Sequence, residues 1–309
     1  MVSLSAIRVF YTEALLSWGF VVRHRGASAA QPAYVLPPPT TVVGAFAYPL
    51  ARVLGLNPNA ESEVKWGDGR LISSTMKVFL EATIAAAAGV RAHPHSTGLA
   101  TAQEPGRIIA SPYKGDTERG RIKTEPFESA IPRAMPVQGV GATYAPGVTV
   151  GLAWVVDGDK LARELGIQLE KLDAVAEKAP FGVVRLGSKE GFLAVDYSRS
   201  MYVKNVKLLG PGDKFRTWLY VDSTCVESLD PVATQVLPMP DLNYRSKRYY
   251  VPSQLASHNV VVPLPEHVLP LFKLVEPCRA VQAPEVEGLV VVMSYDSSSH
   301  SQKGISAEL

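Results

Sequence analysis

The sequence predicts an α+β fold, and three observations carry that prediction. Hydrophobic residues make up 47% of the 309 positions and charged residues 19%, enough apolar material for a core and too much for a disordered chain. Through residue 208, short β-branched and aromatic runs alternate with helical periodicity. From residue 209 onward proline is frequent and helical periodicity is absent, which predicts a small β-rich C-terminal part over 209–309.

The elements follow in order. Ala6-Ile7-Arg8-Val9-Phe10-Tyr11 reads as a first strand, and residues 18–25 as its continuation or a second short strand. Pro32, Pro37, Pro38 and Pro39 then force extended backbone. Thr40 and Thr41 stand where an N-cap belongs, so an apolar helix is predicted from Val42 toward Leu54. Gly55 is its stop, and Pro49 should kink or shorten it. The β-branched residues and alanine run of 71–88 predict a strand over 75–84. Residues 91–146 are rich in Gly, Pro, Arg and Lys with little periodicity. A stretch of that length inside a compact domain predicts an inserted hairpin or arm. Residues 148–156 form the clearest buried strand. Asp157 opens a helical pattern through Leu161, Leu165, Leu169 and Leu172 that Gly166 divides and Pro180 closes. A glycine-punctuated turn from Phe181 leads to a strand at 192–197, with further strands at 201–208 and 215–222. The order β, α, β, insertion, β, α, β is that of the ferredoxin-like fold, placed over residues 1–208.

Composition removes several functions. Lys+Arg number 31 against 29 Asp+Glu, a formal charge of +2, which excludes a polybasic protein. Cys225 and Cys278 lack the spacing of a zinc site, are too few for a disulfide framework, and read as small core residues. Gly26–Ala51 and Ala134–Val156 are uncharged but broken by prolines, so neither reads as a membrane span. The start, Met1–Arg8, lacks the pattern of a signal peptide, and a soluble cytoplasmic protein is expected. No P-loop, GxSxG or GxGxxG context appears, and no cofactor is implied. His93-Pro94-His95 has no third ligand at metal-site spacing.

Charge is informative once it is divided by position. The first sixty residues hold Arg8, Arg23, Arg25 and Arg52 against Glu13, with Arg23-His24-Arg25 as a compact basic triplet. Residues 185–216 hold seven basic side chains against Glu190, Asp196 and Asp213. Thr40 and Thr41 at a helix start, with Gly44 behind them, suit a phosphate as well as plain capping. Gly187-Ser188-Lys189 suits an anion nest as well as an ordinary tight turn. In the insertion, Arg107, Lys114, Arg119, Arg121 and Lys123 supply positive charge that nearby acids largely offset. Such an arm grips RNA with one face, or is only a solvated hairpin.

The basic segments coincide with two motifs, Pro37-Pro38-Pro39-Thr40-Thr41-Val42-Val43-Gly44 and Arg185-Leu186-Gly187-Ser188-Lys189-Glu190-Gly191. Together these resemble the Cas family-five proteins, RAMP subunits of CRISPR Cascade complexes, and the Gly187-Ser188-Lys189-Glu190 form is similar to the archaeal type I-A branch. The resemblance implies an RRM-like domain whose β-hairpin thumb falls at 91–146. It implies binding of the 5′ handle of CRISPR RNA, and docking on the repeated backbone subunit and the large subunit. The RNA-binding set expected on this basis is Arg23, His24, Arg25, Thr40, Thr41, Gly44, Arg107, Lys114, Arg119, Arg121, Lys123, Arg185, Gly187, Ser188 and Lys189. Members of the type I-C branch process precursor RNA with a tyrosine and a Lys-His pair. Here Lys114 precedes Gly115, and nothing in the sequence gives Tyr48 a partner, so a non-catalytic subunit is expected. Two alternatives stand beside it: a metal-independent endoribonuclease using His24 or His93 and His95, and a scaffold that binds protein alone.

Overall fold

The computed structural model describes residues 3–24, 30–56, 62–91, 98–107, 137–188, 191–265 and 267–293. Among them the chain is mixed α/β, mostly strands with four helices. The central sheet is antiparallel and built on β1 (Ile7–Leu16). Thr149–Asp157 pairs with one side of β1, and Thr83–Arg91 pairs in turn with Thr149–Asp157. Leu193–Val195 and Met201–Val203 pair with the other side of β1. Both long strands are buried on two faces; Thr149–Asp157 is accordingly a nearly continuous apolar run, while β1 also buries Arg8, Thr12 and Glu13, which are hydrogen-bonded.

The helix α1 (Pro39–Val53) packs on the sheet together with Ser74–Ala82, Gly158–Glu164 and Leu169–Ala176. Trp154 fills the space between these layers. It lies 4.7 Å from Phe10 and 6.2 Å from Phe46, centroid to centroid, and edge-on to Phe79. Its indole N–H donates to Thr83 Oγ1 at 2.8 Å, which satisfies the one polar atom this ring buries.

The other sheet face is closed by the C-terminal part. Glu13, Gly151 and Gly89 are register neighbours across three strands. A Cβ on Gly151 would lie 1.6 Å from the Trp218 ring, and one on Gly89 would lie 2.7 Å from it. The two glycines are therefore the floor on which Trp218 sits. Trp218, Leu219, Tyr220, Leu237 and Val291 belong to the same core as β1 and α1, so residues on both sides of position 208 share one apolar interior. A smaller core surrounds Phe215 and Phe272.

Several expectations change. The strand expected over 75–84 is a helix, Ser74–Ala82, and the strand is Thr83–Arg91. Ser73 Oγ caps that helix by accepting from Met76 N at 3.2 Å, and Thr75, Phe79, Leu80 and Ala82 are buried at helical spacing. The alanine run then forms a thin buried strand beneath α1. α1 itself starts at Pro39 rather than Val42, so Thr40 and Thr41 lie inside the first turn and Pro38 is the N-cap. Proline suits the first helical position, where its missing N–H has no partner to lose. The helix continues through Pro49 and ends as expected at Gly55, whose φ is +73°. The strand expected over 18–25 shrinks to Gly19–Phe20 plus isolated bridges.

The two ends of the expected insertion, Leu99–Arg107 and Val137–Tyr144, pair as an antiparallel ladder. Cys225 and Cys278 are not free core residues but a disulfide, with sulfurs 2.07 Å apart across a sequence separation of 53. Each precedes a strand of the smaller core, Val226–Ser228 and Arg279–Gln282, and packing of those strands brings the pair together. Among the described residues no helix is long and apolar enough to cross a membrane.

Candidate nucleic-acid interface

The two motif regions meet in space. Val21 and Gly187 form a parallel bridge, and the Ser188 N–H donates to the Val21 carbonyl at 3.0 Å. Gly187 has φ +71°, and a Cβ there would lie 2.5 Å from the Val21 oxygen, so the contact requires glycine. On the other flank, His24 N–H donates to the Pro32 carbonyl and Tyr34 N–H to the Val22 carbonyl, each at 2.8 Å. The His24 and Tyr34 rings stack at 3.7 Å. Arg23 and His24 therefore stand on a ribbon clipped at both edges.

α1 supplies the floor. Thr40, Gly44 and Tyr48 are spaced four apart and share one helix face. The turn at Ala179–Gly182 lies close against this helix, since a Cβ on Gly182 would sit 2.7 Å from Pro49 Cβ. Between ribbon, helix and the Arg185–Ser188 turn runs a cleft of about 770 Å³. Arg70, Pro240 and Tyr244 complete its lining from other parts of the chain.

Gly44 is the most informative floor residue. Among the described residues, no heavy atom apart from its chain neighbours and its own helix backbone lies within 4 Å of where its Cβ would be. A glycine inside a helix costs about 1 kcal/mol relative to alanine. No packing contact among the described residues requires it, and it leaves room in the cleft.

The rim is cationic and aromatic. Arg52 donates from Nη2 to the Tyr48 hydroxyl at 3.2 Å. The Arg52 and Arg185 guanidinium carbons each lie 5.3 Å from the Tyr48 ring centroid. The Arg52 hydrogen bond, then the charges of Arg52 and Arg185, pull the Tyr48 phenol below its ordinary pKa of 10.0. Burial, then the charge of His258, push His24 below its ordinary 6.5.

Of the residues expected to bind RNA, Arg23, His24, Thr40, Thr41 and Gly44 line this cleft, and so do Arg185, Gly187 and Ser188. The Ser188 N–H is committed to Val21, which removes that donor from an anion nest. Arg107 lies at the end of the hairpin ladder, in register with Val137. Arg25, Lys114, Arg119, Arg121, Lys123 and Lys189 lie outside the described residues, as do His93 and His95.

Other members of the basic segments are tied to acidic partners away from the cleft. Arg8 is buried and holds Asp173 through Nε at 2.9 Å and Nη2 at 3.1 Å. Arg199 reaches the buried Glu13 at 3.3 Å, and Lys204 pairs with Glu177 at 2.9 Å. Sequence reasoning left out Arg70 and Tyr244 and gave Tyr48 no partner. The spacing of Thr40, Gly44 and Tyr48 was a usable signal for Tyr48. Nothing local joins Arg70 to Tyr244.

No protein-family model and no curated protein sequence matches the chain. Among solved structures it is similar to the crystal structure of a CRISPR protein from Archaeoglobus fulgidus, with TM-score 0.51 and 16% identity, over 94% of this chain and 100% of that one. A chain of a CRISPR RNA-guided surveillance complex matches with TM-score 0.29 and 10% identity over 73% of each chain. A chain of such a complex before nicking matches with TM-score 0.28 and 8% identity, over 73% of this chain and 81% of that one. The first similarity shows a shared fold; the other two scores are too low to carry an argument.

Proposed function

We propose that this chain is a non-catalytic subunit of a CRISPR RNA-guided complex that seats the 5′ handle of CRISPR RNA in the cleft. In this reading it is a cytoplasmic Cas family-five RAMP protein of an archaeal type I-A-like Cascade, docked on backbone and large subunits for antiviral defence. One observation carries the proposal. The two sequence segments behind the family resemblance converge on a single cationic cleft whose floor is left open at Gly44. The fold shared with the Archaeoglobus fulgidus CRISPR protein supports it. So does the order of the central sheet, with β1 between Thr149–Asp157 and Leu193–Val195 and with Thr83–Arg91 at the edge, as expected of a ferredoxin-like domain. The Leu99–Arg107 and Val137–Tyr144 ladder suits the root of a thumb.

RNA recognition of this kind needs charge for phosphates and flat faces for unpaired bases, while pairing to the guide supplies sequence specificity. The sheet face opposite the helices, where an RRM-like domain would stack bases, is closed by Trp218. The cleft over α1 offers a cationic seat instead. The test is fluorescence anisotropy with a labelled handle-bearing RNA across a salt series. Arg23→Glu combined with Arg185→Glu should abolish binding and flatten the salt dependence. Unchanged affinity would refute the proposal, and no RNA affinity in the parent protein would favour a protein-only scaffold.

Tyr48 favours a second reading. Its hydroxyl accepts from Arg52, its ring lies beside Arg185, and its pKa is lowered, which gives it the makings of a general base beside cations at a scissile phosphate. Incubation with precursor CRISPR RNA in EDTA separates the two. Site-specific cutting that Tyr48→Phe abolishes would favour the enzyme; intact RNA favours the anchor.

A further inference from the structure

One part of the cleft lining carries a feature that charge and motif do not explain. Tyr244 has φ +63°, in a region that bulky side chains rarely adopt. The turn that holds it is heavily braced. Asp241 is buried, and its Oδ1 accepts the N–H groups of Asn243 and Arg245, each at 2.8 Å. Tyr244 N–H donates to the Asp241 carbonyl at 3.0 Å, and Asp241 N–H to the Arg245 carbonyl at 2.8 Å.

A second element clamps the same turn from outside. The hairpin Glu63–Trp66 and Arg70–Ser73 presses its tip on it. Trp66 Nε1 donates to the Leu242 carbonyl at 2.9 Å. Gly67, at φ +56°, comes so close that a Cβ would lie 2.2 Å from the Asn243 oxygen. The hairpin thereby delivers Arg70, whose guanidinium carbon sits 4.6 Å above the Tyr244 ring centroid. Both side chains line the cleft.

Two separate segments are thus locked so that one arginine lies over the ring of one strained tyrosine at the cleft wall. Strain of this kind persists where the surroundings over-determine it, and it gathers at ligand clamps. A tyrosine–guanidinium layer is a surface on which a further flat, electron-rich ring stacks, with the cation also answering a neighbouring phosphate. Bases inside a duplex do not offer their faces, whereas unpaired bases do.

We infer that Arg70 and Tyr244 form a stacking station for one unpaired nucleobase, so that the RNA in the cleft is held at this base as well as by its phosphates. This rests on the reading of the cleft as an RNA seat. Tyr48, with Arg52 and Arg185 beside its ring, lines the same cleft.

The experiment uses the full chain and single-stranded handle-bearing RNAs with 2-aminopurine at successive positions. One position should be quenched by the parent protein. Tyr244→Gly suits the backbone angle, so it should melt no lower than the parent. It should lose that quenching, and affinity should fall roughly 5- to 150-fold, the range for loss of one base–aromatic stack. Tyr244→Phe should retain both quenching and affinity. If Tyr244→Gly binds within twofold of the parent and keeps the quenched position, while Arg23→Glu with Arg185→Glu abolishes binding, the stacking station is wrong and the RNA seat stands. If the parent protein binds no RNA, the reading beneath it fails as well.

Discussion

Gly44 offers a perturbation whose two effects have opposite signs. It is the sixth residue of the fifteen-residue helix α1, well inside both ends. An alanine there gains the helical preference of about 1 kcal/mol. Among the described residues no atom beyond its own helix backbone and chain neighbours lies within 4 Å of the new methyl group, so their packing subtracts nothing from that gain. For a chain of this size the melting temperature should rise by about 2 °C. Gly44→Leu keeps nearly the same helical gain but projects a branched side chain into the cleft, one turn below Tyr48. If a nucleotide rests there, the leucine should cost it at least one stacking or phosphate contact, about 1–3 kcal/mol. Affinity should then fall roughly 5- to 150-fold while the free protein becomes more stable. Thermal melting and RNA titration on Gly44→Ala, Gly44→Leu and parent protein measure both sides. A leucine variant that melts higher and binds RNA within twofold of the parent would refute the placement of RNA on this floor. A variant that melts lower would refute the claim that the floor is open.

Three further outcomes follow from particular contacts. Reduction of Cys225–Cys278, or Cys225→Ser with Cys278→Ser, should lower the unfolding free energy by about 4 kcal/mol from loop entropy alone, given the separation of 53, and urea midpoints with and without reductant measure it. Gly151→Ala should destabilise by about 3 kcal/mol, because the added Cβ meets the Trp218 ring, and a red-shifted tryptophan emission at a lowered melting point would register the displacement. The folded protein depresses the pKa of His24 through burial and then through His258, so its neutral form is favoured in the fold. That contribution is fully present above the ordinary value near 6.5 and is lost as pH falls below it. Stability should therefore drop between pH 7.5 and pH 5.5 more steeply in the parent than in His24→Gln, as read by urea midpoints at the two values.

Much of the first half of the fold was legible because its signals are local. Asp157 caps a helix whose apolar positions repeat within two turns, and Gly166 at φ +66° stops it before Leu169–Ala176 begins. Gly55 ends α1 for the same reason. The Ser74–Ala82 helix was misread because Thr75 and Val78 look strand-like one at a time. Its cap at Ser73 and its buried spacing outweigh them only once α1 is there to bury that face. The basic segments were legible as composition, but ion pairing is not local. Arg8, Arg199 and Lys204 counted toward positive clusters and are instead tied to Asp173, Glu13 and Glu177.

The sequence alone is enough for an α+β chain, its helix stops, its sites of excess charge and the two motif segments. Each of these depends on residues within a turn or two of one another. The cleft depends on approaches across the chain, Val21 to Gly187 and Arg70 to Tyr244, and the pairing of Cys225 with Cys278 is of the same kind. Packing decides those. A backbone carbonyl can reach Gly187 only because no side chain stands there, and Tyr244 keeps its strained angle only because the buried Asp241 and the tip of a distant hairpin hold its turn. Tertiary structure therefore decided which of the marked residues share a surface, and it added the aromatic wall that no local pattern announces.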